Sequence, residues 1–309
     1  MRRVVVTGAT GTIGRAVVAA LHTRGDHVVA LSRDAERARA VLGNVEVHAW
    51  RSPTRQSPPS AALDGAHAII HLLGEPIGQR WTAAVKRELR DSRLRSTRLL
   101  TRAIHARATG SPPLTFVSQS ATGFYGLHGD AWLTEQSPPG TDFLARLVVD
   151  WEHESLAAAA APNVRVVVSR TGVVLSSHGG ALEKMAPPFK FGVGGPIAGG
   201  RQYVPWVHID DVVGALLHCL DTRAAAGPIN VVSPNPATNA ELSRALGHAL
   251  HRPALLPVPG FVVRALYGEM SMTVIGGQRV SAAKLEGLGY VFVHPHLDTA
   301  LRDVLSAAA

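Results

Sequence analysis

Short apolar runs alternate with amphipathic segments over residues 1–170. Six of these runs are apolar nearly throughout, as in strands of a parallel sheet that helices cover on both faces. They read RRVVVTG, HVVALSR, VEVHAW, AHAIIHLLG, LTFVSQS and VRVVVSR. The spacing of apolar positions predicts helices over residues 13–23, 35–42, 81–108 and 142–161. This alternation predicts an α/β fold with a Rossmann-type, doubly wound parallel sheet.

The pattern changes after residue 171, where Gly and Pro become dense, as in PPFKFGVGGPIAGGRQYVPW. Later helices, such as the one predicted over residues 238–251, are separated by irregular segments. We therefore predict two units. Residues 1–170 form the Rossmann domain, to which residues 206–232 return, and residues 171–309 form a smaller C-terminal α+β substrate lobe.

Composition narrows the possible partners. The chain has 309 residues, 46% of them hydrophobic, and a formal net charge of +8 from 31 Lys and Arg against 23 Asp and Glu. Its densest basic stretch, residues 86–107, is interrupted by Glu88 and Asp91 and holds no aromatic residue, which favours a solvated helix face over a nucleic-acid groove. No stretch reaches the roughly 18 uncharged apolar residues that a membrane span needs. We expect a cytoplasmic protein with a small-molecule substrate and no nucleic-acid or membrane partner.

Cysteine and histidine usage indicates neither disulfide nor metal chemistry. The single cysteine, Cys219, excludes an internal disulfide, and its setting GALLHCLDT predicts a buried, inert thiol. The chain has 15 histidines but no HExxH motif and no paired Cys/His spacing. His294 and His296 flank one proline, too close together and too isolated to indicate a site. The sequence therefore predicts no metal.

The segment TGATGTIG, residues 7–14, follows the first strand and opens the first helix. In this context Gly8 permits a tight turn, Gly11 lets backbone N–H groups approach a pyrophosphate, and Gly14 lets the helix pack close to the sheet. A merely tight strand-to-helix turn does not explain three glycines at these spacings. We predict a dinucleotide site that also includes Thr10, Thr12 and Ile13.

The end of the second strand indicates which dinucleotide binds. An acidic residue there accepts the ribose hydroxyls of NAD, whereas an arginine accommodates the 2′-phosphate of NADP. Arg33 lies 19 residues after Gly14, and Ser32 adds a hydroxyl. Asp34 is the competing signal for NAD, but its position before AERARAVL is better explained as a helix N-cap. We predict NADP(H), the alternative for Arg33 being a solvated surface side chain.

Several motifs in order carry a family resemblance: TGATGTIG, LSRD, HLLGEPIG, SQSATGFYG and PWVHIDDV. With them the chain resembles the extended and atypical short-chain dehydrogenase/reductase superfamily. Through WTAAVKRELRDSRLRSTRLL and RPALLPVPGFVVRALYGEMSMTVIGGQRVSAAKLEGLGYVF it is similar to the epimerase family proteins of class 39U. These carry an NAD-dependent epimerase/dehydratase domain and a DUF1731 segment, expected here at residues 250–298. The resemblance covers essentially the whole chain.

The resemblance implies an NADP-binding Rossmann domain with a small lobe over the nicotinamide. It assigns Leu72, Leu73 and Gly74 to the loop that contacts adenosine and ribose, and Glu88 and Arg93 to positions used around the cofactor. Ordinary extended members carry the asparagine of a proton relay where Arg93 stands. Arginine cannot relay protons at neutral pH, but it can clamp a phosphate or carboxylate. The alternative for both charged residues is an exposed pair on a charged helix.

The catalytic residues that the resemblance implies are only partly present. Superfamily chemistry uses a tyrosine and a lysine four residues later on one helix face, with a serine that polarises the substrate oxygen. Ser120 matches the serine. Aligning Glu152 with the acid that commonly follows the motif places Leu144 and Val148 where the tyrosine and lysine belong. Neither side chain can donate or accept a proton.

Tyr125, five residues beyond Ser120 in a glycine-flanked loop, is the nearest replacement as proton donor. It needs a neighbouring cation to lower its pKa, for which Arg93 and Lys190 are the candidates. The alternative is a packing or substrate-lining tyrosine. The motif PWVHIDDV favours a structural role for its histidine and two aspartates. Candidate substrate contacts are Arg170, Gly194, Gly195 and Gln202.

These observations predict an NADP(H)-binding oxidoreductase or epimerase-like protein that acts on a small carbonyl or sugar-like substrate without the Tyr-x-x-x-Lys pair. Ser120, Tyr125 and the glycine-rich loop favour this function. Leu144 and Val148 favour the alternative, a protein that holds NADP(H) as a structural or sensory ligand and catalyses nothing.

Overall fold

The computed structural model describes residues 1–108 and 110–306. Its strands, numbered along the chain, are β1 (Arg3–Thr7), β2 (His27–Ser32), β3 (Glu46–Ala49), β4 (Ala68–His71), β5 (Leu114–Ala121), β6 (Trp132–Leu133), β7 (Val164–Thr171), β8 (Val173–Leu175), β9 (Tyr203–Val204), β10 (Trp206–His208), β11 (Gly227–Val231), β12 (Ala237–Thr238) and β13 (Arg279–Val280). Its α-helices are α1 (Thr12–Thr23), α2 (Ala35–Leu42), α3 (Ser60–Leu63), α4 (Ala83–His105), α5 (Phe143–Leu156), α6 (Gly180–Lys190), α7 (Ile209–Asp221), α8 (Asn239–Ala249), α9 (Gly260–Tyr267), α10 (Met272–Ile275), α11 (Ala283–Gly287) and α12 (Leu297–Ser306).

One parallel sheet organises the described part of the chain. Its seven strands lie in the order β11-β7-β5-β4-β1-β2-β3. The predicted α/β fold with a Rossmann-type, doubly wound sheet is confirmed, and all six predicted strands are present. The seventh strand, β11, comes from later in the chain and pairs with β7. The strand order reverses between β1 and β4, which leaves a crevice at the carboxyl ends of the strands.

The strands read as unbroken apolar runs because both faces of the sheet are covered. Val4 and Val6 face the core that the sheet forms with α1 and α7, whereas Val5 faces the opposite core with Leu100 of α4. All four side chains have no exposed surface. Cys219 of α7 belongs to the first core, where burial raises the pKa of its thiol to about 12.

The helix ends follow their capping residues. Asp34 accepts a hydrogen bond from the Arg37 N–H at 3.0 Å, so its predicted role as N-cap of α2 is confirmed. Thr82 caps α4 by accepting the Val85 N–H, which makes the helix begin later than predicted. Beyond α5 the chain continues as a 3₁₀ turn, Ala157–Ala160, where a longer α-helix was predicted. Within the described ranges, no helix combines the length and apolar character that crossing a membrane requires.

Three short strand pairs and the later helices lie beside the sheet. β8 pairs with β10 in parallel, β9 pairs with β12 in antiparallel, and β6 pairs with β13 in parallel. A separate apolar core forms where α6, α8 and α12 meet around Trp206. This arrangement places residues 180–190 and 260–275 near the carboxyl edge of the sheet, beside the loop that follows β4.

The carboxylate of Asp211 holds residues 290–294 against α7. Asp211 is fully buried, and its two oxygens accept the N–H groups of Val293 and His294 at 2.7 and 2.9 Å and the hydroxyl of Tyr290 at 3.0 Å. This one buried carboxylate therefore satisfies all three donors. Asp211 therefore has a structural role, in agreement with the interpretation of the PWVHIDDV motif.

His71, the last residue of β4, connects this strand to β1 and to α4. Its Nδ1 lies 2.7 Å from Thr7 Oγ1 of β1, and its Nε2 lies 3.0 Å from Thr97 Oγ1 of α4. Burial lowers the pKa of the imidazole from 6.5 to about 3. A neutral ring serves both threonines, whereas a protonated ring has no nearby counter-charge in this network.

The stability of the fold should decrease at acidic pH because of His71. Between pH 6.5 and pH 3 the unfolded chain binds a proton at this residue and the folded chain does not. Lowering the pH from 7 to 5 should therefore cost about 2 kcal/mol of unfolding free energy at this site. Urea unfolding of His71→Gln should show a correspondingly smaller loss. His22→Gln, on the exposed face of α1, is the control, and an equal change in both variants would contradict the assignment.

Candidate functional site

The glycine loop after β1 is shaped by close backbone approach. Gly8 has φ +66°, and a Cβ there would lie 2.7 Å from the carbonyl oxygen of Leu72 at the end of β4. A Cβ on Gly14 would lie 2.2 Å from the carbonyl oxygen of Gly8. Both positions exclude a side chain, so α1 begins directly at the crevice where the strand order reverses.

The N-terminus of α1 is open. Gly11 is its N-cap, no side chain of the described residues caps it, and its first turn holds no acidic residue. Gly11 is exposed, and Thr10, Thr12 and Ile13 are half-buried around it. The unpaired N–H groups and the positive end of the helix dipole favour an anionic group here. This geometry fits a pyrophosphate.

The end of β2 presents a cation and no free acid. The side chain of Arg33 is 71% exposed, and its Nη1 lies 3.3 Å from Oε1 of Glu75. Ser32 hydrogen-bonds to the backbone of Asp34, whose carboxylate is occupied as the cap of α2. Arg33 is thus free to exchange a weak surface ion pair for a phosphate, and Asp34 is not placed to accept ribose hydroxyls.

The end of β4 forms the other side of the crevice. Leu72 and Leu73 are half-buried and Gly74 is exposed. Arg93 of α4 lies against Gly74, where a Cβ would be 3.1 Å from its Cζ, and it donates to the carbonyl oxygen of Glu75 at 2.9 Å. Burial lowers the pKa of the Arg93 guanidinium to about 10, with the Glu75 charge opposing the shift, so it remains a cation at neutral pH.

Glu88 does not join this group. It lies exposed on α4 and forms neither a hydrogen bond nor an ion pair with the residues that the structure describes. The structure therefore brings Arg93 to Gly74 and leaves Glu88 on the solvated face, which was the alternative for this residue.

The centre of the carboxyl edge is occupied by an ion pair. Arg170 of β7 and Glu152 of α5 are 3% and 4% exposed. Nε and Nη2 of Arg170 each donate to one oxygen of Glu152 at 2.8 Å, a bidentate pair. Although burial opposes it, the hydrogen bonds and charge of Glu152 hold the pKa of Arg170 above its ordinary value. Arg170 thus pairs with an internal anion, and its role as a substrate contact stays a prediction.

Both predicted catalytic hydroxyls are bound into the same network. Ser120 donates to Oε1 of Glu152 at 2.6 Å, which leaves its only proton unavailable to a substrate oxygen. Tyr125 donates to Oδ1 of Asn230 at 2.6 Å and accepts from Nη1 of Arg170 at 3.1 Å. Ser120 is 1% exposed and Tyr125 has no exposed surface. The structure turns both hydroxyls toward internal partners, and their catalytic role stays a prediction.

The electrostatics of Tyr125 also argue against proton donation. Burial raises the pKa of its phenol, although the hydrogen bond and charge of Arg170 oppose this shift. The cation beside Tyr125 is therefore Arg170, and not Arg93 or Lys190. Arg170 lowers the pKa of the phenol by less than burial raises it. A phenol that is hard to ionise and shielded from solvent is a packing residue, which was the alternative for Tyr125.

Helix α5 contributes packing at Leu144 and Val148, where the family resemblance led us to expect the positions of an acid–base pair. Leu144 is 8% and Val148 is 1% exposed, and they share an apolar cluster with Trp151 and, from other elements, Trp81 and Met270. A Cβ on Gly123, at the end of β5, would lie 2.7 Å from Leu144 Cδ2. The helix therefore presents an apolar surface to the end of β5.

The predicted substrate residues of the glycine-rich loop are also engaged in packing. A Cβ on Gly194 would lie 2.4 Å from the ring of Phe189, and one on Gly195 would lie 2.1 Å from the carbonyl oxygen of Leu256. The amide of Gln202 donates to the carbonyl oxygens of Ile197 and Val274 at 3.0 and 3.2 Å. These contacts are internal to the protein, and the role of Gly194, Gly195 and Gln202 as substrate contacts stays a prediction.

The lobe covers the loop that follows β4 through polar contacts. Arg80 donates to the carbonyl oxygen of Ala265 at 2.9 Å, Lys184 donates to that of Gly78, and Lys86 forms an ion pair with Glu269. These contacts hold α6 and the segment around α9 against the carboxyl edge of the sheet.

Sequence reasoning did not assign Glu152 and Asn230 to the site. A signal for Glu152 was present, because it continues the apolar stripe of Leu144 and Val148 at intervals of four residues, and an acid on a buried stripe needs a partner. Asn230 had no comparable signal. It comes from β11, whose place in the sheet depends on long-range pairing.

Comparison with known proteins places the chain in a family. Residues 4–232 match the model of the NAD dependent epimerase/dehydratase family. The chain belongs to this family. Residues 258–304 match a second model, a domain of unknown function named DUF1731, where the sequence predicted residues 250–298. The predicted resemblance is confirmed.

Relatives in the family extend over nearly the whole chain. The human epimerase family protein SDR39U1 is 36% identical over 311 residues, which cover 98% of this chain and 100% of that protein. An epimerase family protein of Mycobacterium leprae is 38% identical over 300 residues, covering 96% and 94%. The crystal structure of human SDR39U1 (isoform 2) with NADPH superposes with a TM-score of 0.86 at 36% identity and covers 98% of this chain and 99% of that one.

The ion pair should be essential to the fold of this family member. Glu152→Gln leaves the guanidinium of Arg170 buried without its counter-charge and should lower the unfolding free energy by about 3 to 5 kcal/mol. Asp150→Asn, on the same helix, breaks the exposed pair with Arg90 and should cost less than about 1 kcal/mol. Urea denaturation of both variants measures the difference. Similar losses would show that the buried pair contributes no more than a surface pair.

Proposed function

We propose that this protein binds NADP(H) and uses it to reduce a small carbonyl compound, with water and no side chain as the proton source. Support for the cofactor comes from the open N-terminus of α1, from the close approach at Gly8 and Gly14, and from the exposed guanidinium of Arg33, whose only ion pair among the described residues is the weak one with Glu75. The human relative of known structure was crystallised with NADPH. When bound, NADPH supplies a hydride.

The residues that would hold the cofactor fall into three groups. The glycine loop and the first turn of α1 would bind the pyrophosphate, Ser32 and Arg33 would bind the 2′-phosphate, and the end of β4 with Arg93 would contact adenosine and ribose. They are Gly8, Thr10, Gly11, Thr12, Ile13, Gly14, Ser32, Arg33, Leu72, Leu73, Gly74 and Arg93.

The single observation that carries the proposed chemistry is that none of four side chains beside the sheet edge offers an acid or base to a substrate. The hydroxyl of Ser120 donates its hydrogen bond to Glu152, and that of Tyr125 donates to Asn230. Helix α5 presents Leu144 and Val148. No acid or base at these positions can abstract a proton from a sugar hydroxyl, which argues against epimerisation. Hydride transfer to a carbonyl carbon needs only a positioned acceptor, and the resulting alkoxide can take its proton from water.

The surroundings favour a neutral acceptor over an acid. The cation nearest to the end of β5 is Arg170, and its guanidinium is already neutralised by Glu152. The surface beside it comes from the apolar face of α5. A carboxylate in that place would lose hydration without gaining a partner. We therefore expect small aldehydes, ketones or quinones to be better acceptors than keto acids.

A second candidate is a protein that binds NADP(H) and catalyses nothing. The observation that favours it is the complete internal bonding of Ser120 and Tyr125, which leaves the cofactor end as the open part of the site. NADPH oxidation across a panel of aldehydes, quinones and nucleotide sugars separates the candidates. Tight NADPH binding without turnover of any acceptor would establish the second one.

Turnover should be slow and independent of Tyr125. A well-placed general acid contributes about 10² to 10⁴-fold, and this site lacks one. Tyr125→Phe should therefore leave the rate per folded molecule unchanged. It should lower the unfolding free energy by about 1 to 3 kcal/mol, because Asn230 and Arg170 each lose a buried partner. If Tyr125→Phe abolished turnover while NADPH binding persisted, the phenol would be the proton donor after all.

Arg33 should select the cofactor. Loss of a charge-assisted contact of about 1.5 to 3 kcal/mol predicts that Arg33→Ala weakens NADPH binding by about tenfold to a hundredfold and barely changes NADH binding. Fluorescence titration with both cofactors measures this. Arg37→Ala removes the same charge from the exposed face of α2 and is the matched control. Equal losses for NADPH and NADH would show that Arg33 does not contact the 2′-phosphate.

A further inference from the structure

Four potential metal ligands converge where the C-terminal segment meets the start of α7. They are His208, Asp210, His294 and Asp303, each offering one ligand atom, and these atoms all lie within 4.8 Å of one another. The cluster draws on three parts of the chain: the end of β10 with the first turn of α7, the segment that Asp211 holds, and α12. None of these residues belongs to the proposed cofactor site.

The distances within the cluster are short enough for one shared ion. His208 Nε2 lies 3.2 Å from Oδ2 of Asp303, and His294 Nε2 lies 3.4 Å from Oδ2 of Asp210. The two imidazole rings stack with their centroids 3.8 Å apart. Two rings and two carboxylates thus surround one point at distances from which small side-chain movements reach metal-bonding range.

One ligand atom is buried and unsatisfied. The side chain of His208 is 1% exposed, and its Nε2 forms no hydrogen bond within residues 1–108 and 110–306, although Oδ2 of Asp303 lies 3.2 Å away. Buried ring nitrogens in folded proteins nearly always have a partner, and an exception calls for an explanation such as an ion. This atom points into the cluster, so a metal there would satisfy it.

Both histidines are held in position by backbone contacts. Asp211 accepts the His294 N–H at 2.9 Å, and Nδ1 of His208 accepts the Asp210 N–H at 3.1 Å. Because Nδ1 accepts this N–H in the metal-free protein, the neutral His208 ring carries its proton on Nε2. Coordination through Nε2 would move that proton to Nδ1 and end this side-chain cap of α7, so the bond to the metal would have to compensate for the lost contact. The carboxylates of Asp210 and Asp303 are 60% and 51% exposed, which provides an entry path and room to adjust.

We propose that His208, Asp210, His294 and Asp303 form a binding site for a divalent transition metal of the zinc type, which fastens the C-terminal segment to α7. Two imidazoles with two carboxylates suit Zn²⁺ and its neighbours, whereas Mg²⁺ and Ca²⁺ prefer oxygen ligands alone. The sequence predicted no metal because the four ligands share no local spacing. Only the fold brings them together.

Metal titration of the whole chain tests this site. Protein treated with a chelator and then dialysed should bind one Zn²⁺ per chain, and Co²⁺ in its place should give the visible absorption bands of a four-coordinate ion. His294→Ala and Asp303→Asn should each weaken Zn²⁺ binding by about tenfold or more. His296→Ala removes an exposed histidine two residues from His294 and should leave the affinity unchanged.

Three results would overturn the proposal: no Zn²⁺ binding above that of buffer, equal weakening by His296→Ala and His294→Ala, or binding that survives the loss of both His294 and Asp303. Circular dichroism of the metal-free variants verifies that they are folded. His208 is left intact, because its buried ring also caps α7 and its loss would confuse folding with binding. NADPH affinity is measured separately, so the Zn²⁺ binding result can be interpreted even if the cofactor proposal fails.

Discussion

The buried ion pair between Arg170 and Glu152 is the constraint on which the carboxyl edge of the sheet depends. Two charges withdrawn from water are tolerated only when each is paired and its remaining hydrogen-bonding capacity is used. The bidentate contact pairs the charges, and Ser120 and Tyr125 occupy further positions around them. The pair therefore joins β5, β7 and α5 and determines where the neighbouring hydroxyl groups point.

This constraint explains how the chain keeps the family fold while Ser120 and Tyr125 hydrogen-bond to other residues of the protein. Tyr125 donates to the side-chain oxygen of Asn230. The backbone N–H of Asn230 donates to the carboxylate of Glu135, and its side-chain amide donates to the carbonyl oxygen of Ser281. The polar network thus extends from the sheet edge to the C-terminal lobe. A hydroxyl that satisfies such a network cannot also serve a substrate without leaving a buried group unpaired.

The two ends of the crevice differ in one physical respect. At the glycine loop, the first turn of α1 lacks a side-chain cap within the described chain, and Arg33 has only a weak partner. At the opposite end, Ser120 and Tyr125 hydrogen-bond to other residues of the protein, and α5 contributes an apolar surface. Unsatisfied polar groups indicate where a ligand completes the structure. We therefore expect a ligand at the glycine loop rather than at the opposite end of the crevice.

The sequence by itself determined the features that depend on neighbouring residues. Apolar runs predicted six of the seven sheet strands, TGATGTIG predicted the phosphate loop, and the position of Asp34 predicted a helix cap, because a few consecutive residues decide each of them. Only the tertiary structure decided that Ser120, Tyr125 and Arg170 point inward, and that His208, His294 and Asp303 meet. The partners of these side chains lie on distant segments, and the direction in which a polar group points follows from which buried partner the fold brings within reach.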